Sequence, residues 1–227
     1  MTPYRSFAEL VLNAVKGEDY DVIVVNRDAG TTVAAIHGGC IAPPTGELAR
    51  AIAGEDCNLY ELRGLRADKA ALLRIPTNHY DEMRLRTLME RSEDGLALLD
   101  AEGSVPVVHL GGRNQALKQA LAEQLAAAGF QVSGPATSGA AHDPTRFYNL
   151  PADGGVQLEL SRALCQELLA GAHAPRFEAL VAAVREALVR YRAALRDDVG
   201  RALQRFERAT ATFPASLRKP HCCDGNH

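Results

Sequence analysis

Short apolar runs alternate with helical repeats along most of the chain. Runs rich in β-branched or other apolar residues predict strands, whereas apolar residues three or four positions apart predict helices. Strands are predicted at 21–26, 33–37, 58–62, 73–77, 105–109, 130–132 and 156–160. Helices are predicted at 4–16, 47–53, 81–92, 114–128 and from 161 onward. From Arg176 to Phe206 the helical repeat is nearly continuous.

This alternation of strands and helices predicts an α/β fold. Several strands are continuously apolar, as at Val33–Ile36, which is typical of strands that helices bury on both faces. We therefore expect a single domain over residues 1–210, built on an open mixed sheet flanked by helices, with a C-terminal helical region at about 176–208. Residues 211–227 show little periodicity and are predicted to form an irregular tail.

Three histidines close predicted strands: His37, His79 and His109. Ligands of open α/β sheets bind beyond the carboxyl ends of the strands, so these positions are candidates for a functional site. The alternative is that each imidazole is a structural residue, hydrogen-bonded within the fold.

Composition and charge exclude some classes of function. Hydrophobic residues make up 47% of the chain, charged residues 23%, and the formal net charge is -3. This charge predicts no general affinity for nucleic acid or for a membrane surface. No apolar run approaches the roughly 18 residues of a membrane span, and the N-terminus lacks a signal-peptide pattern. A cytoplasmic location is expected, unless lysis releases the protein.

The five cysteines do not form a Cys-x-x-Cys pair, and their number is odd. Buried thiols are therefore expected rather than a disulfide framework. Cys40 lies three residues after His37, which raises the question of a soft metal ligand. The tail carries a denser group that could bind metal or form part of a disordered end: His221, Cys222, Cys223 and His227.

His37, Glu47 and His109 form a possible zinc-binding set. Two imidazoles and one carboxylate, with one position left open, occur in hydrolytic zinc sites. Only a short loop separates His37 from the helix that Glu47 opens, so their side chains can face one another. Alternatively, Glu47 favours the helix N-terminus electrostatically, and Gly38-Gly39 forms a tight turn or a phosphate cradle.

Glu159 is the candidate general base for such a site. It lies between Leu158 and Leu160 in a predicted strand, so its carboxylate projects from the opposite face to both leucines. A carboxylate beside a metal-bound water can accept the proton of that water. The alternative is that Glu159 simply faces solvent.

Four segments, taken in order, resemble the poly-γ-glutamate hydrolase family, a group of phage-type zinc peptidases. Residues 35–49 are similar to the family's His-Gly-Gly-x-Ile-x-Pro-Gly-Thr-Ser-Glu segment, and residues 77–81 to its Thr-x-His-Phe-Asp. Residues 107–114 are similar to its second His-Gly segment. Residues 154–161 match its Gly-Val-Gln-Leu-Glu-Leu-Ser signature. The resemblance spans about residues 20 to 170.

The resemblance implies a fold related to zinc carboxypeptidases, one zinc ion per chain, and hydrolysis of γ-glutamyl amide bonds. Carried over by position, the zinc ligands are His37, Glu47 and His109, and the general base is Glu159. His79 is expected to contact the substrate or transition state. The forked donors of Arg113 are expected to pair with a substrate carboxylate.

The chain departs from the family pattern in the loop between His37 and Glu47. Ala42-Pro43-Pro44 stands where the family has Glu-Pro-Gly, and Thr45-Gly46 replaces Thr-Ser or Thr-Thr. Pro44 fixes a backbone angle that glycine leaves free, so the loop can carry Glu47 differently.

Three functions remain open. The first is a zinc-dependent hydrolase of poly-γ-glutamate, whose partner would be a polyanionic glutamyl polymer or a small peptide. The second is a zinc amidohydrolase of the same fold that acts on another acyl-amino acid or peptide. The third is a non-enzymatic phage or host interaction module, in which the arginine-rich C-terminal helix would bind the partner. The oligomeric state is left open.

Overall fold

The computed structural model describes residues 3–135, 140–169 and 175–211. Its strands are β1 (Tyr20–Val25), β2 (Thr31–Gly39), β3 (Asn58–Gly64), β4 (Asp94–Ala101), β5 (Val108–Gly112), β6 (Val132–Ser133) and β7 (Gly155–Ser161). Its α-helices are α1 (Phe7–Asn13), α2 (Thr45–Ala53), α3 (Ala70–Leu73), α4 (Met83–Glu90), α5 (Gln115–Ala127), α6 (Arg162–Leu168) and α7 (Pro175–Ala211). Short 3₁₀ helices lie at Ala67–Lys69, Thr77–His79, Ala140–His142 and Phe147–Asn149.

The seven strands found in the described ranges form one mixed sheet in the order β1-β3-β2-β4-β7-β5-β6. Strands β3, β2, β4 and β7 run parallel to one another. The antiparallel strands are β1, which pairs with β3, and β5, which pairs with β7, while β6 follows β5 in parallel. The prediction of an α/β fold with an open mixed sheet flanked by helices is confirmed.

Both faces of the central strands are buried. Ala34 and Ile36 of β2 join a core cluster with residues of α1 and α4, including Leu10 and Leu85. Val33, which points the other way because side chains alternate along a strand, is also fully buried. Helices α2, α5 and α6 pack against β2, β5 and β7 respectively.

Local sequence signals place the helix after β5 and the helix after β7. The Asn114 side chain caps α5 by accepting a hydrogen bond from the Leu117 amide at 3.0 Å. The helix ends just before Gly129, whose φ is 78°. Ser161, the last residue of β7, caps α6 through the Leu164 amide. This cap joins β7 directly to α6 and so fixes the position of the carboxyl end of β7.

One predicted strand is absent from the structure, and one observed strand was not predicted. The strand predicted at 73–77 is absent: α3 ends at Leu73, and a 3₁₀ helix occupies Thr77–His79. Strand β4, in contrast, was not predicted, although it lies near the middle of the sheet between β2 and β7.

The chain divides into two compact units, Met1–Leu188 and Val189–His227. The first contains the whole sheet that the structure describes. The second begins within α7, which covers the predicted helical region at about 176–208. The single domain over 1–210 stays a prediction, and the tail beyond Ala211, with Cys222 and Cys223, lies outside the described residues. Among the described helices, none has a stretch both long and apolar enough to cross a bilayer.

Candidate active site

Side chains capable of acid–base chemistry lie at one edge of the sheet, the one formed by the carboxyl ends of its parallel strands. His37, Asp100 and Glu159 lie near the carboxyl ends of the parallel strands β2, β4 and β7. His109 lies at the start of β5, and because β5 runs antiparallel to β7, its start reaches the same edge. Four polar side chains therefore lie along the edge where ligands of α/β proteins bind. Glu159 pairs with Leu99, the neighbour of Asp100, so Glu159 and Asp100 point to opposite faces of the sheet.

His109 and Glu159 are directly opposite one another on β5 and β7. Opposite residues of an antiparallel pair have Cβ atoms about 4.5–5.5 Å apart, so the imidazole and the carboxylate are neighbours. The Nδ1 atom of His109 is 3.1 Å from the Gly134 carbonyl oxygen, which can only accept a hydrogen bond. Nδ1 therefore carries the proton, and Nε2 of the neutral ring is left as an acceptor or metal ligand.

His37 lies at a bulge in β2. Ala35 pairs with Glu61 whereas Gly38 pairs with Arg63, so Ile36 and His37 together face one residue of β3. The ring of His37 is buried, and its Nε2 donates to the Ile75 carbonyl at 3.0 Å. Its Nδ1 lies 3.2 Å from the Asp100 carboxylate.

Asp100 joins His37 to Arg74. Both of its oxygens accept from Arg74 Nη1, at 2.7 and 2.6 Å. Burial acts to raise the pKa of Asp100, but the hydrogen bonds from His37 and Arg74 outweigh burial and lower this pKa to about 2. Asp100 is therefore an anion that fixes the orientation of the His37 ring. It was not predicted from the sequence, although an aspartate that ends an apolar run at 95–99 was a signal for it.

Glu47 is directed elsewhere. It is the third residue of α2, and Arg50 Nη2 lies 3.4 Å from its Oε1. The same guanidinium bonds to Glu61 of β3, a fully buried residue whose pKa burial raises. The Oε2 atom of Glu47 is buried and has no hydrogen-bond partner. Since β3 is four strands away from β5 in the sheet, about 19 Å by strand spacing, Glu47 does not approach His109.

His79 ends a 3₁₀ helix, Thr77–His79, rather than a strand, and it is exposed. It lines a cavity together with Arg86, Thr145 and Phe147. The chain between Ile75, which binds His37, and His79 is short, so this cavity opens near the same edge of the sheet.

Arg113 lies at the opposite end of β5 from His109. It follows the last residue of β5, four residues beyond His109, which corresponds to about 14 Å along a strand. Its side chain is exposed, and its backbone amide donates to Asn149 Oδ1 at 3.0 Å. The structure therefore does not bring Arg113 to His109 and Glu159.

The segment 140–149 covers part of β5 and β7 and adds residues that were not predicted. Tyr148 is buried, and burial raises its pKa to about 12. Arg146 lowers and Glu159 raises this pKa electrostatically, so both charges act on the Tyr148 hydroxyl. Nothing in the sequence pattern of this loop indicated that its arginine and the predicted base would act on the same tyrosine.

The donor set fits a zinc ion only in part. His109 has the Gly134 carbonyl as acceptor for Nδ1 and keeps Nε2 available, as metal-binding histidines commonly do. His37, in contrast, has an acceptor at both ring nitrogens, Asp100 at Nδ1 and the Ile75 carbonyl at Nε2. Within the described ranges, however, no three His, Cys, Asp or Glu side chains are close enough together to hold a metal. The roles of His37, Glu47 and His109 as zinc ligands stay predictions, and Glu47 is the residue that fits least.

Comparison with known proteins assigns the chain to a family. A family model described as poly-gamma-glutamate hydrolase matches residues 4–178. The chain belongs to this family. The resemblance read from the four sequence segments is thus confirmed.

Two solved structures have a similar fold. The structure of a bacteriophage poly-gamma-glutamate hydrolase superimposes with a TM-score of 0.80 at 21% identity, covering 86% of this chain and all (100%) of that one. A zinc-free apo structure of YndL superimposes with a TM-score of 0.74 at 25% identity, covering 84% of this chain and 97% of that chain.

One curated relative is similar in sequence. The UPF0714 protein YndL of Bacillus subtilis (strain 168) is 31% identical over 127 residues, which is 56% of this chain. The match spans half (50%) of the length of YndL.

Proposed function

We propose that this chain hydrolyses γ-glutamyl amide bonds of poly-γ-glutamate or of smaller γ-glutamyl peptides. The observation that carries this function is the pairing of Glu159 with His109 at the edge of the sheet where His37 and Asp100 also lie. Membership of the poly-gamma-glutamate hydrolase family supports the same reaction class.

Glu159 acts as the general base. Its carboxylate accepts a proton from the attacking water while the water oxygen bonds to the scissile carbonyl carbon. The same carboxyl group then gives this proton to the γ-amide nitrogen as the carbon–nitrogen bond breaks. The products are a γ-carboxylate and a free amine, and Glu159 returns to its ionised form.

His109 lies beside Glu159 on the neighbouring strand β5, and His37 lies on β2, three strands from β5. The Gly134 carbonyl holds His109 with its Nε2 available, and Asp100 holds His37 in place. A zinc ion held by His109 and by a His37 whose Nε2 had left the Ile75 carbonyl would lower the pKa of a bound water to about 7 and polarise the scissile carbonyl. Zinc dependence is part of the proposed function, with Glu47 left out because it pairs with Arg50, which also bonds to Glu61.

The experiment compares γ-linked and α-linked glutamyl oligomers of equal length as substrates for the purified protein supplied with zinc. We expect cleavage of the γ-linked oligomers, with amine release detected by chromatography. Glu159→Gln should lower kcat by at least about 100-fold, the usual contribution of a general base, while the zinc content per chain stays unchanged.

Glu123→Gln is the matched control, because Glu123 is on the surface of α5 and bonds only to Gln119 among the hydrogen bonds described for its side chain. This variant should retain full activity. Equal cleavage of α-linked oligomers would favour an amidohydrolase with another substrate. A fully active Glu159→Gln variant would remove Glu159 from the reaction.

A further inference from the structure

Arg146 is a mostly buried cation whose charge the fold does not fully compensate. Its side chain is 13% exposed, and its Nε atom is buried without a hydrogen-bond partner. The carboxylate beside it, Asp143, lies 3.7 Å from Nε, which is beyond hydrogen-bonding distance. Removing a guanidinium from water is costly unless its donors find acceptors, so this position favours an incoming anion.

Asp143 is hydrogen-bonded to Thr145. Its Oδ1 accepts from the Thr145 amide at 2.9 Å and from the Thr145 hydroxyl at 2.7 Å. These bonds anchor the carboxylate to the turn, so it does not complete the hydrogen bonding of Arg146. A ligand carboxylate could do so, because guanidinium donors match a carboxylate in geometry and charge.

The backbone around Arg146 is held firmly. The buried side chain of Asn149 donates to the carbonyls of Ala141 and Asp143, each at 2.9 Å, and accepts from the Arg113 amide. The Arg146 carbonyl itself accepts from the Asn149 amide at 2.9 Å. Such anchoring fixes the backbone that carries Arg146 before a ligand arrives, which reduces the entropy lost on binding.

Arg146 also lies on the element that faces the proposed base. The 3₁₀ helix Phe147–Asn149, which Arg146 precedes, packs against β7, the strand that carries Glu159. The cavity at His79 is lined by the two neighbours of Arg146, Thr145 and Phe147. The charges of Arg146 and Glu159 both act on the buried Tyr148 hydroxyl, which lies in this 3₁₀ helix.

We propose that Arg146 binds the free α-carboxylate of the glutamyl residue next to the scissile bond. Each residue of a γ-linked glutamyl chain retains one α-carboxylate, whereas an α-linked chain uses it in the peptide bond. Arg146 would therefore select γ-linked substrates. This subsite rests on the proposed function and assigns to Arg146 the contact that the sequence had predicted for Arg113.

The test uses γ-linked glutamyl oligomers with free α-carboxylates and the same oligomers with those carboxylates amidated. For the free acids, Arg146→Gln should raise KM by about 10- to 100-fold, as expected for a hydrogen-bonded charge pair, and should change kcat less than KM. For the amidated oligomers, wild type and variant should have similar KM values. Arg146→Lys, which keeps the charge but loses the fork, should give an intermediate KM.

Arg201→Gln is the matched control for net charge. Arg201 is an exposed arginine of α7 that pairs with Asp198 on the same helix, and its replacement should leave KM unchanged. Melting temperatures close to that of the wild type verify that the Arg146 variants fold. Equal KM values for wild type and Arg146→Gln, or an equal loss on free and amidated oligomers, would overturn the subsite.

Calorimetric binding separates this subsite from the reaction itself. The Glu159→Gln protein, with and without Arg146→Gln, is titrated with the γ-linked oligomer. If the wild type cleaves no oligomer but binding weakens at least tenfold with Arg146→Gln, the proposed function fails and the subsite stands. If binding is unchanged by Arg146→Gln, the subsite fails whatever the activity.

Discussion

The Cys165 thiol lies at the junction of β7 and α6, where its Sγ is 3.7 Å from the Leu160 carbonyl oxygen. Burial, assisted by the negative charge of Asp100, raises the pKa of this thiol to about 12. Because the thiolate is the reactive form, Cys165 is almost entirely unreactive near neutral pH. Cys57 is also buried, whereas Cys40 is only half-buried.

We therefore predict selective alkylation of the folded protein at pH 8. Iodoacetamide should modify Cys40 many times faster than Cys57 or Cys165, as measured by mass spectrometry of the digested protein. The protein for this experiment carries Cys222→Ser and Cys223→Ser, so that the tail thiols do not compete for reagent. In denaturant the three remaining cysteines should react at similar rates. Rapid labelling of Cys165 in the native state would contradict this account of its burial.

Individual residues show how far the sequence could predict the site. His109 and Glu159 were found because both lie within recognisable segments, and the structure does place them opposite one another. Arg113 was predicted as a substrate contact from the family resemblance of residues 107–114 and from its forked donors. The direction of β5, which a sequence pattern does not reveal, carries Arg113 to the far edge. The role of Glu47 stays a prediction, and the pairing of its neighbour Arg50 with Glu61 of β3 was not foreseen from the sequence.

At the scale of elements, α2 approaches β3 through two glycines. A Cβ added to Gly46 would lie 2.2 Å from Glu61 Oε1 and 3.1 Å from the Cα of Gly38. Glu61 cannot easily move away, because it is fully buried and bonded to Arg50. The close contact between this helix and the sheet thus requires a residue without a side chain.

We predict that Gly46→Ala destabilises the protein by about 1–3 kcal/mol, the usual cost of overpacking a filled site. Helix propensity alone predicts the opposite sign, because alanine favours a helix over glycine by about 1 kcal/mol. Urea denaturation followed by circular dichroism measures the difference. Gly200→Ala in α7 is the control, since a Cβ there meets no atom within 4 Å, and this variant should not lose stability. A Gly46→Ala protein as stable as the wild type would refute the packing argument.

Strand β4 explains why Asp100 escaped prediction. Its sequence, Asp94–Ala101, is dominated by leucine and alanine and contains no β-branched residue. These residue types favour helices in isolation. The segment forms a strand because β2 and β7 pair with it on both sides. Tertiary pairing therefore overrides local propensity here, and a single sequence carries little signal for it.

At the scale of the whole molecule, the family match and the first compact unit nearly coincide. The match ends at residue 178, and the unit ends at Leu188. This unit contains all the residues assigned to the reaction and to the Arg146 subsite. The second half of α7 therefore lies outside the part of the chain that the family shares.

We predict that a protein ending after Arg196 keeps its activity and its thermal midpoint. The measurements are the rate of γ-linked oligomer cleavage and thermal unfolding followed by circular dichroism, with the full chain as control. Values within about twofold for the rate are expected, because the sheet and both helical layers described above belong to the first unit. Loss of cleavage with an unchanged midpoint would instead assign the second half of α7 a part in the reaction.

The position of β7 has a consequence for synthesis on the ribosome. Among the described strands it is the last to be made, yet it inserts between β4 and β5, which are made earlier. Until residues 155–161 have left the exit tunnel, β4 and β5 lack the strand that joins them, and unpaired strand edges attract other strands. Because Glu159 belongs to β7, the strand that completes the sheet also supplies the proposed general base. A nascent chain stalled before residue 155 lacks both.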